Sequence, residues 1–276
     1  VSRGCREVRG KTLGIVGYGH IGSQLSVLAE ALGMHVLFYD IQVMMPHGRA
    51  VQVADLDADL LAVADFVSIH VPETDETVGM FGRRRLERMR SGAMLINCSR
   101  GSVVDLEALA DLMQSGHIAG CAIDVFPQEP AKGDGAAFAT RLATCPNAIL
   151  TPHIGGSTEE AQDAIGVEVA TAMIRFLNEG STIGSVNFPN IDLRSTFFLD
   201  SATGCRVLNV HRNVPGVLLQ INQILAEFNV EKQTCESRGA YSYVQTDVTT
   251  RTKEDMQGIF ERIYALPESV ATRIVY

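Results

Sequence analysis

Three residues in this 276-residue sequence are of the types needed to interconvert an alcohol and a ketone. His153 lies in Thr151-Pro-His-Ile-Gly-Gly156, Glu129 in Asp124-Val-Phe-Pro-Gln-Glu-Pro130, and Arg100 in Asn97-Cys-Ser-Arg-Gly-Ser102. Removing a hydride from a secondary alcohol requires a base for the hydroxyl proton, and imidazole titrates near neutrality. A carboxylate hydrogen-bonded to that ring would orient it and raise its pKa. A guanidinium would hold a substrate carboxylate bidentately and polarise the reacting oxygen. Each residue also has a plain reading: His153 as an interdomain hydrogen bonder, Arg100 as a surface ion pair, Glu129 as a loop charge. The chemical reading gains weight because all three follow strand-like runs of one expected sheet.

A second constellation precedes them. Gly17-x-Gly19-x-x-Gly22 directly follows the apolar run Thr12–Val16 and opens a helical pattern carrying Ile21, Leu25, Leu28, Ala29 and Leu32. In such a turn the first glycine permits the bend and the second lets a pyrophosphate approach the backbone. The third lets helix pack on strand. The helix N-terminus offers N–H groups and a positive dipole end to an anion. Asp40 ends the next run, His35–Tyr39, eighteen residues past Gly22, close to the ~20 expected of a ribose-binding carboxylate. It would repel a 2′-phosphate, and no Arg follows to welcome one, so NAD is expected rather than NADP. Asp124 is a candidate for the nicotinamide ribose or amide, with a turn-capping role as the plain alternative. His70 is as readily a strand-end histidine as a lining of the adenine side.

The elements that must position these residues are legible as a pattern. Strand-like runs at Thr12–Val16, His35–Tyr39, Phe66–Val71, Ala93–Cys98, Gly120–Val125 and Ala148–Leu150 alternate with helical segments. This predicts an α/β fold with a doubly wound parallel Rossmann sheet, its strands buried on both faces. Ligands of such sheets sit outside the carboxyl ends of the strands. Ser157-Thr-Glu-Glu160 reads as a capping box. The helix after it carries Ala161, Ile165, Val169, Ala172 and Phe176 on one stripe and stops at Asn178 and Gly180. From Ser181 to Thr203 an irregular linker is expected. The remainder reads as a small α+β unit of order βαββαβ: strands at Arg206–His211, Val230–Ser237, Ala240–Thr249 and Val270–Tyr276, helices at Pro215–Asn229 and Glu254–Leu266. The expected division is 1–152, nucleotide domain; 153–180, a helix returning to a substrate domain; 181–203, linker; 204–276, regulatory unit.

Composition bounds the function. A net charge of −9 argues against a nucleic-acid binder, and Arg83-Arg84-Arg85 is too short to reverse that. No apolar run approaches the ~20 residues of a membrane span. The six cysteines stand singly, at 5, 98, 121, 145, 205 and 235, without metal-ligand spacing. A reducing, cytoplasmic setting is the expectation, with no metal.

The strings GIVGYGHIG, FYD, SIHVPET, INCSRGSVVD, AIDVFPQEP and LTPHIGGSTEEAQ resemble the D-isomer-specific 2-hydroxyacid dehydrogenases. VNFPN and the terminal βαββαβ pattern narrow the resemblance to bacterial members that end in a short ACT domain. The resemblance implies NAD-dependent oxidation of 3-phospho-D-glycerate to 3-phosphohydroxypyruvate, the first step of L-serine biosynthesis. It implies catalytic roles for Arg100, Glu129 and His153. It implies cofactor contacts at His20, Ile21, Asp40, Cys98, Ser99, Arg100, Asp124, His153, Ile154, Gly155 and Gly156. It further implies a homotetramer and an L-serine effector held across a subunit interface by His211 and Asn213. Where such members carry a further asparagine near the start of the second ACT strand, this chain has Glu231. The sequence begins at Val1, and the N-terminal segment that forms most of the family's substrate domain is expected to be missing from it. Two alternatives follow: a dehydrogenase of another 2-hydroxy acid, such as 2-hydroxyglutarate, or a non-catalytic piece that binds NAD and an amino acid.

Overall fold

The computed structural model of the chain describes residues 7–130, 138–194 and 204–276. Cys5 and the last nine residues of the expected linker lie outside the described residues. The chain divides into two compact units, Val1–Thr158 and Glu159–Tyr276.

In the first unit the strands are β1 (Thr12–Val16), β2 (His35–Tyr39), β3 (Val51–Gln52), β4 (Phe66–Ile69), β5 (Ala93–Asn97), β6 (Ile118–Ile123) and β7 (Ala148–Leu150). They form one parallel sheet in the order β3-β2-β1-β4-β5-β6-β7. The strand order reverses between β1 and β4, where the carboxyl ends open a crevice suited to a ligand. The helices are α1 (His20–Ala31), the short α2 (Arg83–Leu86) and α3 (Leu106–Gln114). Both faces of the sheet are buried. Val16, Val67, Ile69 and Leu95 pack with Leu60 and Leu109 on one side. Leu13, Ile15, Val36 and Phe38 pack with Tyr18 and Ala29 on the other. The doubly wound expectation therefore holds. The sequence reading missed β3, a two-residue edge strand too short to show a period. It also ran β4 two residues and β5 one residue too far, and set β6 two residues late.

One close approach fixes the second layer. A Cβ on Gly14 would stand 2.4 Å from Leu60 Cδ2, so the helical turn Leu56–Leu61 packs directly on β1.

The second unit begins with α4 (Glu159–Glu179), none of whose residues is buried within the chain. The strands β8 (Gly204–Arg212), β9 (Asn229–Arg238), β10 (Tyr241–Thr249) and β11 (Ser269–Val275) form an antiparallel sheet ordered β11-β8-β10-β9. The helices α5 (Val217–Leu225) and α6 (Lys253–Tyr264) cover one face, where Ile221, Leu225, Ile259 and Ile263 meet Cys205, Val207, Val244 and Val248. The βαββαβ order is as read. α5 starts after Gly216 at φ 94° and stops at Leu225, four residues short of the expectation, because β9 already begins at Asn229. α6 opens on a Thr252–Asp255 capping box that the sequence reading passed over.

Residues 181–194 contain no regular element, yet they are anchored. Thr182 exchanges hydrogen bonds with Ile191, and Leu193 N–H donates to Gln245 Oε1 at 3.0 Å. Ile191 packs on Leu208 and Tyr243 on the other face of the sheet. Beneath this cover lies a buried bidentate pair, Arg206 Nε to Asp247 Oδ1 at 2.6 Å and Nη2 to Oδ2 at 2.9 Å. Arg206 Nη1 also donates to the Glu179 carbonyl.

Candidate active site

The glycine turn has the geometry of an anion cradle. Gly17 sits at φ 93°, and a Cβ there would lie 2.6 Å from the His70 carbonyl oxygen. A Cβ on Gly22 would lie 2.1 Å from the Gly17 carbonyl oxygen. These two glycines are required by packing. Gly19 differs: a Cβ there meets nothing within 4 Å, and Gly19 places no side-chain cap on α1. The space before the helix N-terminus, where His20 and Ile21 are exposed, is therefore open to an anion. Asp40 directly follows β2 at the same edge. Its Oδ2 accepts from Tyr18 N–H at 2.8 Å and its Oδ1 from Gln42 N–H at 3.0 Å, leaving a lone pair on each oxygen for hydroxyl donors. These features fit a dinucleotide.

Tyr18, unremarked in the sequence, is the buttress of this turn. It stacks on Phe38 with ring centroids 3.6 Å apart, and its hydroxyl pairs with Ser26 Oγ at 2.7 Å. His70 follows β4 and pairs with Ser68 Oγ at 2.8 Å, while burial pushes its imidazole pKa down.

The three chemical candidates follow neighbouring strands. Arg100 comes after β5, on a loop shaped by buried Asn97. The Asn97 Oδ1 accepts from Ser99 N–H and Oγ, and its Nδ2 donates to the Arg100 carbonyl at 3.0 Å. Arg100 itself is exposed and donates to the Ser99 carbonyl at 2.7 Å. A Cβ on Gly101 would lie 2.0 Å from the Phe126 carbonyl carbon, so the loop after β5 lies directly on the loop after β6 that carries Glu129. The local sequence does not mark Gly101, whose purpose comes from the approach of the two loops, whereas Asn97 is set by bonds within its own loop. Exposed Cys98 stands between them. Burial of its sulfur and the nearby Asp124 charge push its pKa up, so it is a neutral thiol rather than a nucleophile.

His153, after β7, has φ 54°, a left-handed conformation uncommon for a residue with a side chain. Its Nδ1 lies 2.7 Å from Glu129 Oε2, and the other Glu129 oxygen accepts from Phe126 N–H at 3.0 Å. Burial raises the Glu129 pKa, but the hydrogen bonds from His153 and Phe126 and the His153 charge outweigh it and hold the carboxyl below its ordinary value. The carboxylate thus accepts the Nδ1 proton and leaves the His153 Nε2 lone pair as the basic site. The pair lines a cleft with Phe126, Phe138, Leu150 and Thr151.

Asp124 is the tie in this arrangement. Its Oδ1 accepts from Thr151 Oγ1 at 2.6 Å and from Ile154 N–H at 3.0 Å, and its Oδ2 accepts from Gly155 N–H at 3.1 Å. Burial pushes its pKa up; the three hydrogen bonds and the His153 charge more than reverse that. Asp124 therefore clamps the segment from Thr151 to Gly155 around His153, close to the turn-capping alternative. Gly156 closes this strap before α4.

In the second unit His211 and Asn213 share one end of β8. His211 is buried, its Nδ1 3.0 Å from Asn209 Oδ1, while exposed Asn213 donates to the Gly239 carbonyl at 3.2 Å. Glu231 is not brought to them within the chain. It accepts from Asn229 and Thr249, at the opposite end of the β9–β10 hairpin from Ser242, the partner of His211. Among the described residues no group of three or more His, Cys, Asp and Glu could hold a metal, and no helix is long and apolar enough to cross a membrane.

The chain is similar to known proteins in both sequence and structure. Residues 2–155 match the family model described as the NAD-binding domain of the D-isomer-specific 2-hydroxyacid dehydrogenases. The chain is similar over its whole length to D-3-phosphoglycerate dehydrogenase 2 of Saccharomyces cerevisiae, at 50% identity, and to D-3-phosphoglycerate dehydrogenase of Escherichia coli K12, at 45%. It spans 60% and 66% of the length of those two relatives. Among solved structures it resembles an NAD-complexed D-isomer-specific 2-hydroxyacid dehydrogenase from Lactobacillus delbrueckii, with TM-score 0.57 and 32% identity. That match covers 65% of this chain and 56% of the other.

Proposed function

The chain belongs to the D-isomer-specific 2-hydroxyacid dehydrogenases, and from that premise we propose that it is the NAD-binding and C-terminal part of an enzyme oxidising 3-phospho-D-glycerate to 3-phosphohydroxypyruvate. The observation that carries the catalytic assignment is the 2.7 Å hydrogen bond between His153 Nδ1 and Glu129 Oε2, at the sheet edge where the Arg100 loop also lies. The names of relatives alike over the whole chain support the substrate.

NAD, when bound, would supply the acceptor for the hydride that leaves the carbinol carbon. The chain's own residues do the rest. His153 Nε2 accepts the hydroxyl proton, so the carbon–oxygen bond becomes a carbonyl with the charge balanced. Glu129 keeps the Nδ1 proton in place and stabilises the imidazolium that forms. Arg100 holds the substrate carboxylate and polarises the reacting oxygen. Gly17–Gly22 would hold the cofactor's pyrophosphate, Asp40 its adenosine ribose, and Cys98–Arg100, Asp124 and His153–Gly156 its nicotinamide end. We assign residues 1–152 to the nucleotide domain, 153–180 to the returning helix, and 204–276, after the linker, to an ACT-like regulatory unit. That unit binds L-serine through His211 and Asn213 in a cytoplasmic homo-oligomer, a tetramer, that opens serine biosynthesis.

The substrate assignment is tested on the full-length protein by kcat/KM for NADH-driven reduction of 3-phosphohydroxypyruvate and of 2-oxoglutarate. The account predicts preference for the phosphorylated acid; a preference for 2-oxoglutarate would replace the substrate and leave the His153 chemistry standing.

A further inference from the structure

The buried end of β8 carries a hydrogen-bond chain whose polarity can be worked out. The Asn209 side-chain amide is buried and its Nδ2 stands 2.8 Å from Ser269 Oγ, 3.1 Å from the Ala271 carbonyl and 3.0 Å from Thr272 Oγ1. The Ala271 carbonyl can only accept, so the amide N–H₂ must face β11; the flipped amide would set two oxygens against each other. Asn209 Oδ1 then faces His211 Nδ1 at 3.0 Å. An amide oxygen can only accept, so Nδ1 must carry a proton. Burial pushes the His211 pKa down, which keeps the ring neutral. A neutral imidazole has one ring proton, so Nε2 has a bare lone pair. That nitrogen has no hydrogen-bond partner among the described residues, and it is not sealed from solvent, although the residue as a whole is only 3% exposed.

We propose that Asn209 is a positioning residue that locks His211 as its Nδ1–H tautomer. At this end of β8, Nε2 therefore accepts a hydrogen bond from a small ligand that offers an N–H or O–H donor. The ligand rests on the effector reading above; the tautomer rests on the geometry alone. L-serine, with an ammonium and a hydroxyl, qualifies, and its carboxylate must be held by other groups, because an oxyanion against the Nε2 lone pair is repelled.

The test is long-range proton–nitrogen correlation on the 276-residue chain labelled with ¹⁵N-histidine, the His211 signals being those lost in His211→Gln. The expected spectrum is that of the Nδ1–H form. In Asn209→Ala the expected spectrum shifts toward Nε2–H, the form free imidazole side chains favour, and Asn209→Asp, which keeps an acceptor, restores Nδ1–H. An Nε2–H spectrum in the unaltered chain overturns the proposal whether or not any variant folds, as does an unchanged tautomer in Asn209→Ala. Calorimetry with L-serine should show roughly tenfold weaker binding to Asn209→Ala, the loss of about one hydrogen bond. If the unaltered chain gives no heat with L-serine, the effector reading fails, while the spectrum still decides the tautomer.

Discussion

The backbone N–H of Gly155 donates to Asp124 Oδ2 at 3.1 Å, tying the segment that follows β7 to the end of β6. Together with the bonds from Thr151 and Ile154, this makes one carboxylate the fixture for the strained His153. Asp124→Ala removes the buried acceptor of two N–H groups and a hydroxyl and should destabilise the first unit by about 1–3 kcal/mol, read by urea unfolding. Because the folded Asp124 pKa is lowered, its stabilisation is full above the unfolded carboxyl value and is lost as pH falls through the folded one. The gap between the unaltered protein and the variant should therefore narrow on acidification to about pH 3. A gap independent of pH would remove the charged carboxylate from the explanation.

Two glycines of one turn should behave oppositely. Gly17→Ala puts a Cβ 2.6 Å from the His70 carbonyl oxygen at φ 93° and should lower stability and NAD affinity together. Gly19→Ala meets no protein atom within 4 Å, so its melting temperature should stay near normal while NAD binding weakens tenfold or more, roughly. Equal NAD affinity in Gly19→Ala and the unaltered chain would move the pyrophosphate away from α1.

Asp40 sets the choice of cofactor. Asp40→Ser removes the charge that repels a 2′-phosphate, so the ratio of Kd for NADP to Kd for NAD should fall by about tenfold or more, the scale of one hydrogen-bonded or repelled charge. Asp40 also holds Tyr18 N–H, so some loss of NAD affinity is expected alongside. An unchanged ratio would show that discrimination lies elsewhere.

The Arg206–Asp247 pair, 2% and 0% exposed, is costly to break from one side. Arg206→Met strands a buried carboxylate and should destabilise the second unit by about 3–5 kcal/mol, whereas Arg206→Met with Asp247→Leu should recover most of that loss. Denaturant unfolding of both variants checks the sign of the coupling.

How much of this was legible in the residues depends on the range of the interaction. The glycine turn, Asp40 and the strands β1 and β2 are local patterns, and each stands where spacing places it. Arg100, Glu129 and His153 were legible as strand-end residues because a doubly wound sheet puts all its carboxyl ends on one edge. Gly101 and Tyr18 were not: their purpose comes from packing across 8 to 29 residues of chain, which no local period records. The anchoring of the 181–194 segment was hidden for the same reason. Its anchors, Gln245 and Leu208, lie on strands that come later in the sequence. Glu231, expected at the effector site only through the family resemblance and across a subunit interface, lies within one chain at the far end of its hairpin from the partner of His211.

The central claim is that His153, oriented by Glu129, moves the proton. Its most direct test is the steady-state turnover of His153→Ala in the full-length protein, with 3-phosphohydroxypyruvate and NADH saturating and NADH affinity followed by fluorescence. Loss of a positioned acid/base group predicts a fall in kcat of about 10²–10⁴-fold with NADH affinity nearly unchanged. A kcat within about threefold of the unaltered enzyme would contradict the account, because a general acid/base residue contributes far more than that.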